Sequence, residues 1–252
     1  MKRLRVLMNR QEVVPERLAG ATAVVVDVFL ATTTLLTILE NGARGVFPVA
    51  SLEEAEEVSK KLDASDVLRG GEQNSERIEG YDNGPFPEEY PPEVVADKDV
   101  VFVTTNGTRA IAEAVPAERV LVGCLRNAPA VARHLEASGT GSIYLICADG
   151  RFSVEDFLGA ATILSYMDSN RWRLNDGAWM ALDFMKRHQG ETLEILKQGR
   201  LGRWFVENDR LDTLEFAGEV GASELVPEVV GGRLRRADEP ASSPPLKVSD
   251  AG

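Results

Sequence analysis

Five acidic side chains stand where they could hold a metal ion or move a proton. Asp27 lies within an apolar run, where a charge is costly unless it is paired or metal-bound; capping of the next helix is the alternative interpretation. Glu72 and Asp82 lie in a long acidic segment, and Glu155 and Asp156 open a helical pattern, where the helix dipole alone would account for them. Brought together, such oxygens would suit Mg²⁺, with Asp27, Glu155 and Asp156 as ligands. The ion would clamp a phosphoryl group for attack by water.

Two clusters of hydroxyl and amide side chains are candidates for binding that phosphoryl group. Residues 31–34 (ATTT) and residues 104–108 (TTNGT) each follow an apolar run and precede a helical pattern. A helix start offers free N–H groups and partial positive charge, so added hydroxyls can hold a phosphate without Lys or Arg. Ordinary helix capping is the alternative. The predicted phosphate-binding residues are Thr32, Thr33, Asn106, Gly107 and Thr108, and Asn127 stands at a further polar junction.

The elements that must position these residues alternate between strand and helix patterns. This alternation predicts an α/β fold with a mostly parallel sheet, helices on both faces and a helical C-terminal part. Ligands bind such sheets beyond the carboxyl ends of the strands, which is where the polar clusters fall. The predicted strands are 23–28, 45–49, 66–69, 100–104, 119–122 and 142–147. The predicted helices are 32–41, 51–62, 107–115, 128–137 and 154–167, with 175–220 wholly helical.

The same pattern sets the expected domain organisation. Residues 1–236 are predicted to form a single α/β domain, with two intimately packed halves, about 1–95 and 96–236, as the alternative. Residues 70–92 are too long and too rich in Gly, Pro and acids for an ordinary connector, which favours a functional loop. The Pro- and Ser-rich residues 237–252 are predicted to be a flexible tail.

Composition excludes several classes of function. The formal net charge of −12 argues against a nucleic-acid partner but allows a small anionic substrate at a locally positive or metal-loaded site. No run of 18 apolar residues occurs, so no membrane span is expected, and a cytoplasmic location follows by default. Cys124 and Cys147 are expected to be buried, inert thiols, and two helical histidines cannot make a zinc site. A homodimer is an expectation on general grounds only.

Short motifs in a fixed order resemble those of one known family. Residues 27–33 (DVFLATT) are similar to D-V-x-R-A-T-T, and residues 104–110 (TTNGTRA) match T-T-N-G-T-R-A closely. Residues 71–72 (GE), 80–84 (GYDNG) and 152–156 (FSVED) resemble further motifs of that family. Over roughly residues 20–230, the chain thus resembles the 2-phosphosulfolactate phosphatase (ComB-like) family.

This resemblance implies a ComB-like fold and Mg²⁺-dependent hydrolysis of the phosphate ester of a small sulfonated hydroxy acid. Asp27, Glu72 and Asp82 would be catalytic, and Arg109 and Asn127 would join the substrate-binding residues. The nucleophile would be water activated by the metal or by a carboxylate, and a phospho-aspartate on Asp27 is the less favoured alternative.

Three positions depart from the family pattern. Leu30 replaces an Arg, Phe86 lies in a stretch where a polar pair is expected, and Asp149 replaces a Gly. Leu provides no donor for a phosphate or sulfonate, so Arg109 and Arg151 are the candidates for the missing positive charge. The departures imply either a different substrate or weakened catalysis. The second hypothesis is therefore a catalytically impaired relative that binds a small anion or serves as a scaffold.

Overall fold

The computed structural model describes residues 2–238, in which apolar runs without polar alternation form the inner strands of a sheet. The strands are β1 (Arg3–Leu7), β2 (Thr22–Val26), β3 (Gly45–Val49), β4 (Val67–Gln73), β5 (Glu76–Arg77), β6 (Asp99–Val103), β7 (Arg119–Gly123), β8 (Ser142–Cys147), β9 (Arg173–Leu174), β10 (Pro227–Val230) and β11 (Arg233–Arg236). The helices are α1 (Ala31–Glu40), α2 (Leu52–Ser59), α3 (Pro92–Val95), α4 (Gly107–Ala114), α5 (Ala128–Ala137), α6 (Val154–Ser165), α7 (Asp176–Arg187), α8 (Thr192–Gln198), α9 (Arg200–Glu207) and α10 (Leu211–Gly218).

All these strands form one sheet in the order β5-β4-β6-β3-β11-β10-β7-β2-β8-β1-β9. On each side of the sheet the neighbouring strands are parallel to one another: β4-β6-β3 on one side and β7-β2-β8-β1 on the other. The antiparallel hairpin β10–β11 lies between them and pairs with β7 on one side and β3 on the other. The predicted mostly parallel α/β fold is therefore confirmed.

Side chains of the central strand β2 show how the sheet is covered on both faces. Ala23 and Val25 pack with residues of α1 and α4, whereas Val24 and Val26 pack with residues of α5 and α6. All four side chains are fully buried. Because successive side chains of a strand point to opposite faces, a continuous apolar run satisfies both helical layers.

The predicted elements agree with the structure in the middle of the chain and fall short at its ends. The helix 128–137 and the strand 142–147 have the predicted bounds, and residues 175–220 hold the four helices α7 to α10 with short breaks. Strand β1 and the β10–β11 hairpin were not predicted. In β1 (RLRVL) the arginines alternate with apolar residues, which is a usable signal for a strand with one exposed face, whereas β10 (PEVV) and β11 (RLRR) show no sustained alternation.

The alternative division at residues 95 and 96 would cut through the sheet, since β6 pairs with both β3 and β4. Of the predicted tail, only residues 237 and 238 are described, and residues 239–252 lie outside the described part. No helix within residues 2–238 combines the length and apolar character needed to cross a bilayer.

Candidate active site

A cavity of about 670 Å³ lies at the carboxyl ends of the parallel strands, the edge predicted to bind the ligand. Each polar group at its base stands where a strand ends. Asp27 follows β2, Glu72 lies near the end of β4, Thr104 follows β6, and Asp149 comes two residues after β8. We call the base of the cavity the floor; its residues are Asp27, Glu72, Thr104, Thr105, Asn106 and Asp149.

Asp27 is the buried carboxylate of the floor. It is 7% exposed, whereas Glu72 and Asp149 are half-buried. Burial and then the negative charge of Glu72 raise the pKa of Asp27 from 3.8 to about 7. A carboxyl group that titrates near neutral pH can donate and accept a proton at the pH at which an enzyme works.

Glu155 and Asp156 lie at the start of α6 and do not line the cavity. The Asp156 carboxylate accepts hydrogen bonds from Val28 N at 3.0 Å and from Asp149 N at 3.3 Å, so it ties the ends of β2 and β8 together. Burial and the nearby Asp27 charge raise the pKa of Asp156 well above its usual value, and burial raises the pKa of Glu155.

The three carboxylates predicted as metal ligands therefore do not meet in one coordination shell. Within residues 2–238, no group of three or more His, Cys, Asp and Glu side chains is arranged to hold a metal ion. The floor itself still fits Mg²⁺, which binds through one or two carboxylates together with water and substrate phosphate. Asp27 and Asp149 supply oxygen ligands. Burial is the main cause of the raised pKa of Asp27, and the negative charges of Glu72, Glu155 and Asp149, which raise it further, are what a cation would offset.

Glu72 is already engaged within the floor. Its two carboxylate oxygens accept hydrogen bonds from Thr105 N at 2.6 Å, Thr105 Oγ1 at 2.8 Å and Ser75 N at 2.6 Å. These bonds fix the turn after β4 against the turn after β6. The negative charge of Glu72 acts on Asp27 from this fixed position.

The hydroxyl groups predicted to hold a phosphate are used inside the fold instead. Thr32 Oγ1 donates to Asp27 O at 2.7 Å, Thr33 Oγ1 donates to Val28 O at 3.0 Å, and Thr108 Oγ1 donates to Thr104 O at 3.0 Å. All three donors are fully buried and none of them lines the cavity. Short hydroxyl side chains next to a helix start can satisfy the carbonyl groups of the adjoining turn, so these three bond the backbone without acting as N-caps of α1 or α4.

The starts of α1 and α4 are what face the cavity at these two places. The N-cap residues Leu30 and Asn106 make no side-chain bond to their helices, although Thr104 Oγ1 accepts from Thr108 N at 3.1 Å in the first turn of α4. Leu30, Ala31 and Asn106 line the cavity. A Cβ at Gly107 would lie 2.3 Å from Ala31 Cβ and 2.6 Å from Asp27 Oδ2, so only glycine lets the two helix starts and Asp27 meet. Paired helix starts whose N-cap side chains do not bond to the helix favour an anion.

Three other predicted residues lie away from the cavity. Asn127 is fully buried and its Nδ2 donates to Val122 O at 3.2 Å and to Leu225 O at 3.1 Å. Arg109 is exposed on α4. Asp82 is exposed, and its carboxylate accepts a hydrogen bond from Arg69 N at 2.8 Å. None of the three lines the cavity.

An apolar part of the cavity lining was not predicted from the sequence. We call it the aromatic wall; it consists of Phe29, Leu30, Phe86, Leu201, Trp204 and Phe205. The ring of Phe205 lies at its centre, 4.8 Å from Phe29 and 5.4 Å from Trp204 between centroids. Residues 200–207 (RLGRWFVE) have a strongly amphipathic helical pattern, which was the available signal, but periodicity does not show what an apolar face covers.

The long segment 70–92 contributes to both the floor and the wall. Besides Glu72, it brings Asn74, Ser75, Pro85 and Phe86 to the cavity. Residues 84 and 85 of this segment are fixed because Thr34 Oγ1 donates to Pro85 O at 2.7 Å and Tyr90 Oη donates to Gly84 O at 2.6 Å.

Three arginines at the mouth supply positive charge. Arg200 forms an ion pair with Asp149 at 3.1 Å, and Arg203 donates to the Gln198 carbonyl. Among the contacts of residues 2–238, Arg151 takes part in no hydrogen bond or ion pair. Of the two arginines proposed from the sequence, Arg151 lines the cavity and Arg109 does not.

Comparison with known proteins gives a consistent set of relatives. The sequence model of the family described as 2-phosphosulpholactate phosphatase matches residues 8–232. A probable 2-phosphosulfolactate phosphatase of Caldanaerobacter subterraneus subsp. tengcongensis is 37% identical over 219 residues, covering 86% of this chain and 90% of that protein. Proteins of the same name from Symbiobacterium thermophilum and Clostridium beijerinckii are each 37% identical, covering 87% and 91% of this chain and 95% and 97% of their own lengths.

Proposed function

Because the chain belongs to the 2-phosphosulfolactate phosphatase family, we propose that it hydrolyses the phosphate ester of a small hydroxy acid in the cavity. One observation carries the proposal: a buried carboxylate with a pKa near 7 stands beside two helix starts whose N-cap residues make no side-chain bond to the helix, at one end of the sheet. Such a site can bind an anion and transfer a proton to or from it.

The phosphate of the substrate would lie against the starts of α1 and α4. Backbone N–H groups and the two helix dipoles favour negative charge at this point. Asp27 lies next to both helix starts, so its carboxylate would take the proton of the attacking water or orient that water. Water then forms the new P–O bond while the ester P–O bond breaks, and inorganic phosphate and the free hydroxy acid are released.

We propose Mg²⁺ as the cation of this site. Asp27 would hold it together with Asp149, and when bound it would offset the charge on the phosphoryl oxygens. Asp149 adds a half-buried negative charge beside Asp27; because Arg200 already pairs with this carboxylate at 3.1 Å, the cation would share Asp149 with Arg200. Glu72 fixes the turn beside it, and Asp156 positions the strand ends that carry Asp27 and Asp149.

Arg151 would bind the second acidic group of the substrate. It is exposed and lines the same cavity as Asp27 and the starts of α1 and α4. A guanidinium group there would hold a carboxylate or sulfonate and keep the phosphate end directed at Asp27. The relatives named above are probable phosphatases of 2-phosphosulfolactate, an ester that carries such a group.

Release of inorganic phosphate from 2-phosphosulfolactate and 2-phospholactate, with Mg²⁺ and with EDTA, tests the proposal. We expect release that depends on Mg²⁺ from at least one of the two esters. Release that is equal in EDTA would contradict the role of the cation but leave the phosphatase standing.

A non-catalytic anion-binding relative is the second candidate, favoured by the apolar Leu30 and Phe86 at the cavity. Thermal unfolding with Mg²⁺ and inorganic phosphate separates the two, because any ligand of the native state raises its stability. Stabilisation without hydrolysis of either ester would support the second candidate. The homodimer and the cytoplasmic location remain predictions from the sequence.

A further inference from the structure

We propose that the substrate carries an apolar group about as large as a phenyl ring, and that the aromatic wall binds this group. The inference rests on the proposed phosphatase function and specifies which hydroxy acid ester the site prefers. It starts from the division of the cavity into an acidic floor and an aromatic wall, which makes different chemical demands on the two ends of a ligand.

The aromatic wall is preformed. Phe29 and Leu30 are each 9% exposed and Phe205 is 3% exposed, so their positions are fixed by packing. Trp204 is 43% exposed and its ring packs edge-on against Phe205. An exposed indole at the rim of an apolar surface that lines a cavity indicates a binding surface.

The size of the cavity supports the same inference. Its volume of about 670 Å³ falls within the range that proteins use for drug-sized ligands, roughly 300–1,000 Å³. A phosphorylated three-carbon acid bound at the floor would leave the space beside the wall to water. An apolar substituent would fill that space and remove apolar surface from water, which is favourable.

The wall offers almost nothing to a charged group. Of its six side chains, only Trp204 has a polar atom, the indole Nε1–H. A sulfonate placed against it would lose its water without gaining hydrogen bonds, which is unfavourable. The acidic group of the substrate is therefore expected at Arg151, and the carbon substituent at the wall.

The test compares three esters that share the phosphate and differ in the substituent: 2-phospholactate, 2-phosphosulfolactate and 2-phospho-3-phenyllactate. For each, kcat/KM with Mg²⁺ and Kd by calorimetry are measured on the full chain, on Trp204→Ala and on Trp179→Ala. Trp179 is 60% exposed on α7 and does not line the cavity, so it is the matched control. Burial of a phenyl group favours binding by roughly 10- to 100-fold.

We expect kcat/KM for the phenyl ester to exceed that of the other two by at least about tenfold. Trp204→Ala should reduce this preference severalfold, and Trp179→Ala should leave it unchanged. If either smaller ester is hydrolysed as well as the phenyl ester, the inference is overturned and the phosphatase stands. If Trp204→Ala lowers turnover of all three esters by one factor, the wall only encloses the reaction and the inference is overturned.

Binding separates failure of this inference from failure of the proposed function. If no ester is hydrolysed but the phenyl ester binds at least about tenfold more tightly than the others, the wall is an apolar binding site and the phosphatase is wrong. If no ester is hydrolysed and none is preferred in binding, the proposed phosphatase function and the proposed role of the aromatic wall are both overturned.

Discussion

The floor of the cavity is held by the ends of four strands from one sheet, whereas most of its aromatic wall stands on the eight-residue helix α9 and on residues 84–86. Strand ends are fixed by the hydrogen bonds of the sheet on both sides, and turn hydrogen bonds such as Thr32 Oγ1 to Asp27 O fix them further. The wall is held mainly by ring packing around Phe205.

This difference suggests a division of roles. A floor with fixed backbone suits the reacting phosphate, which must be positioned to within a fraction of an ångström. The wall residues on α9, which are Leu201, Trp204 and Phe205, can change in shape and size without moving the floor. The comparison predicts that substitutions in the floor affect turnover and that substitutions at the wall or the mouth affect the choice and affinity of substrate.

The largest effect is expected for Asp27→Asn, which keeps the shape of the side chain but removes its basic oxygen. Because Asp27 is proposed to transfer a proton and to hold the cation, kcat should fall by about 100- to 10,000-fold. Steady-state phosphate release measures the change in kcat, and circular dichroism tests whether the variant is folded. Asp183→Asn, in an ion pair with Arg187 on α7, is the matched control and should keep full activity. Full activity in Asp27→Asn would remove Asp27 from the chemistry.

Gly107→Ala should have the next largest effect, since the added Cβ would collide with Ala31 Cβ and Asp27 Oδ2. Overpacking of this kind costs about 1–3 kcal/mol of unfolding free energy, and a displaced Asp27 should lower kcat by about 100-fold. Urea unfolding and kinetics measure the two effects. Gly141→Ala is the control, because a Cβ there has no neighbour within 4 Å. Equal behaviour of the two variants would show that the helix starts and Asp27 are loosely packed.

The third prediction concerns pH. The folded protein keeps the Asp27 proton up to a pKa of about 7, whereas the unfolded chain loses it near 3.8, so the free energy of unfolding should fall as pH rises through this window. Raised pKa values of Glu155 and Asp156 act in the same direction. From pH 5 to pH 7 the loss should be on the order of 2 kcal/mol.

Urea unfolding of the metal-free protein at several pH values measures this slope. Asp27→Asn should reduce it, since the titrating carboxyl group is gone while Glu155 and Asp156 remain. A free energy of unfolding that rises between pH 5 and pH 7 would contradict the assigned electrostatics of the floor.

The same comparison explains how far the sequence could predict this molecule. Position in the chain decides what lies at a strand end, so Asp27, Glu72 and the 104–108 turn could be assigned to one edge of the sheet. Whether a hydroxyl group faces a ligand or its own turn depends on one side-chain rotation, which the sequence does not show. For this reason Thr32, Thr33 and Thr108 are predicted to bind the phosphate, whereas their hydroxyl groups donate to backbone carbonyls in the structure.

The wall was out of reach for a different reason. The contact of α9 with the strand ends joins residues 200–207 to residues 27–31 and 85–86, and no local pattern encodes a contact across such a separation in sequence. The β10–β11 hairpin (PEVV and RLRR) has no sustained alternation of apolar and polar residues to mark it as a pair of strands, whereas the alternation in β1 (RLRVL) was a usable signal that the prediction missed.

The smallest effect is expected for Arg151→Ala, and Arg109→Ala is its comparison, because the sequence alone could not separate the two arginines. Arg151 lines the cavity, so its loss should raise KM by a few fold with little change in kcat, the size expected for an exposed charge interaction worth about 0.2–1 kcal/mol. Arg109 is exposed on α4 outside the cavity, so its loss should leave both constants unchanged. The effect of Arg151 should also shrink in high salt, because mobile ions screen exposed charges. A larger rise in KM for Arg109→Ala than for Arg151→Ala would contradict the assignment of the substrate's acidic group to Arg151.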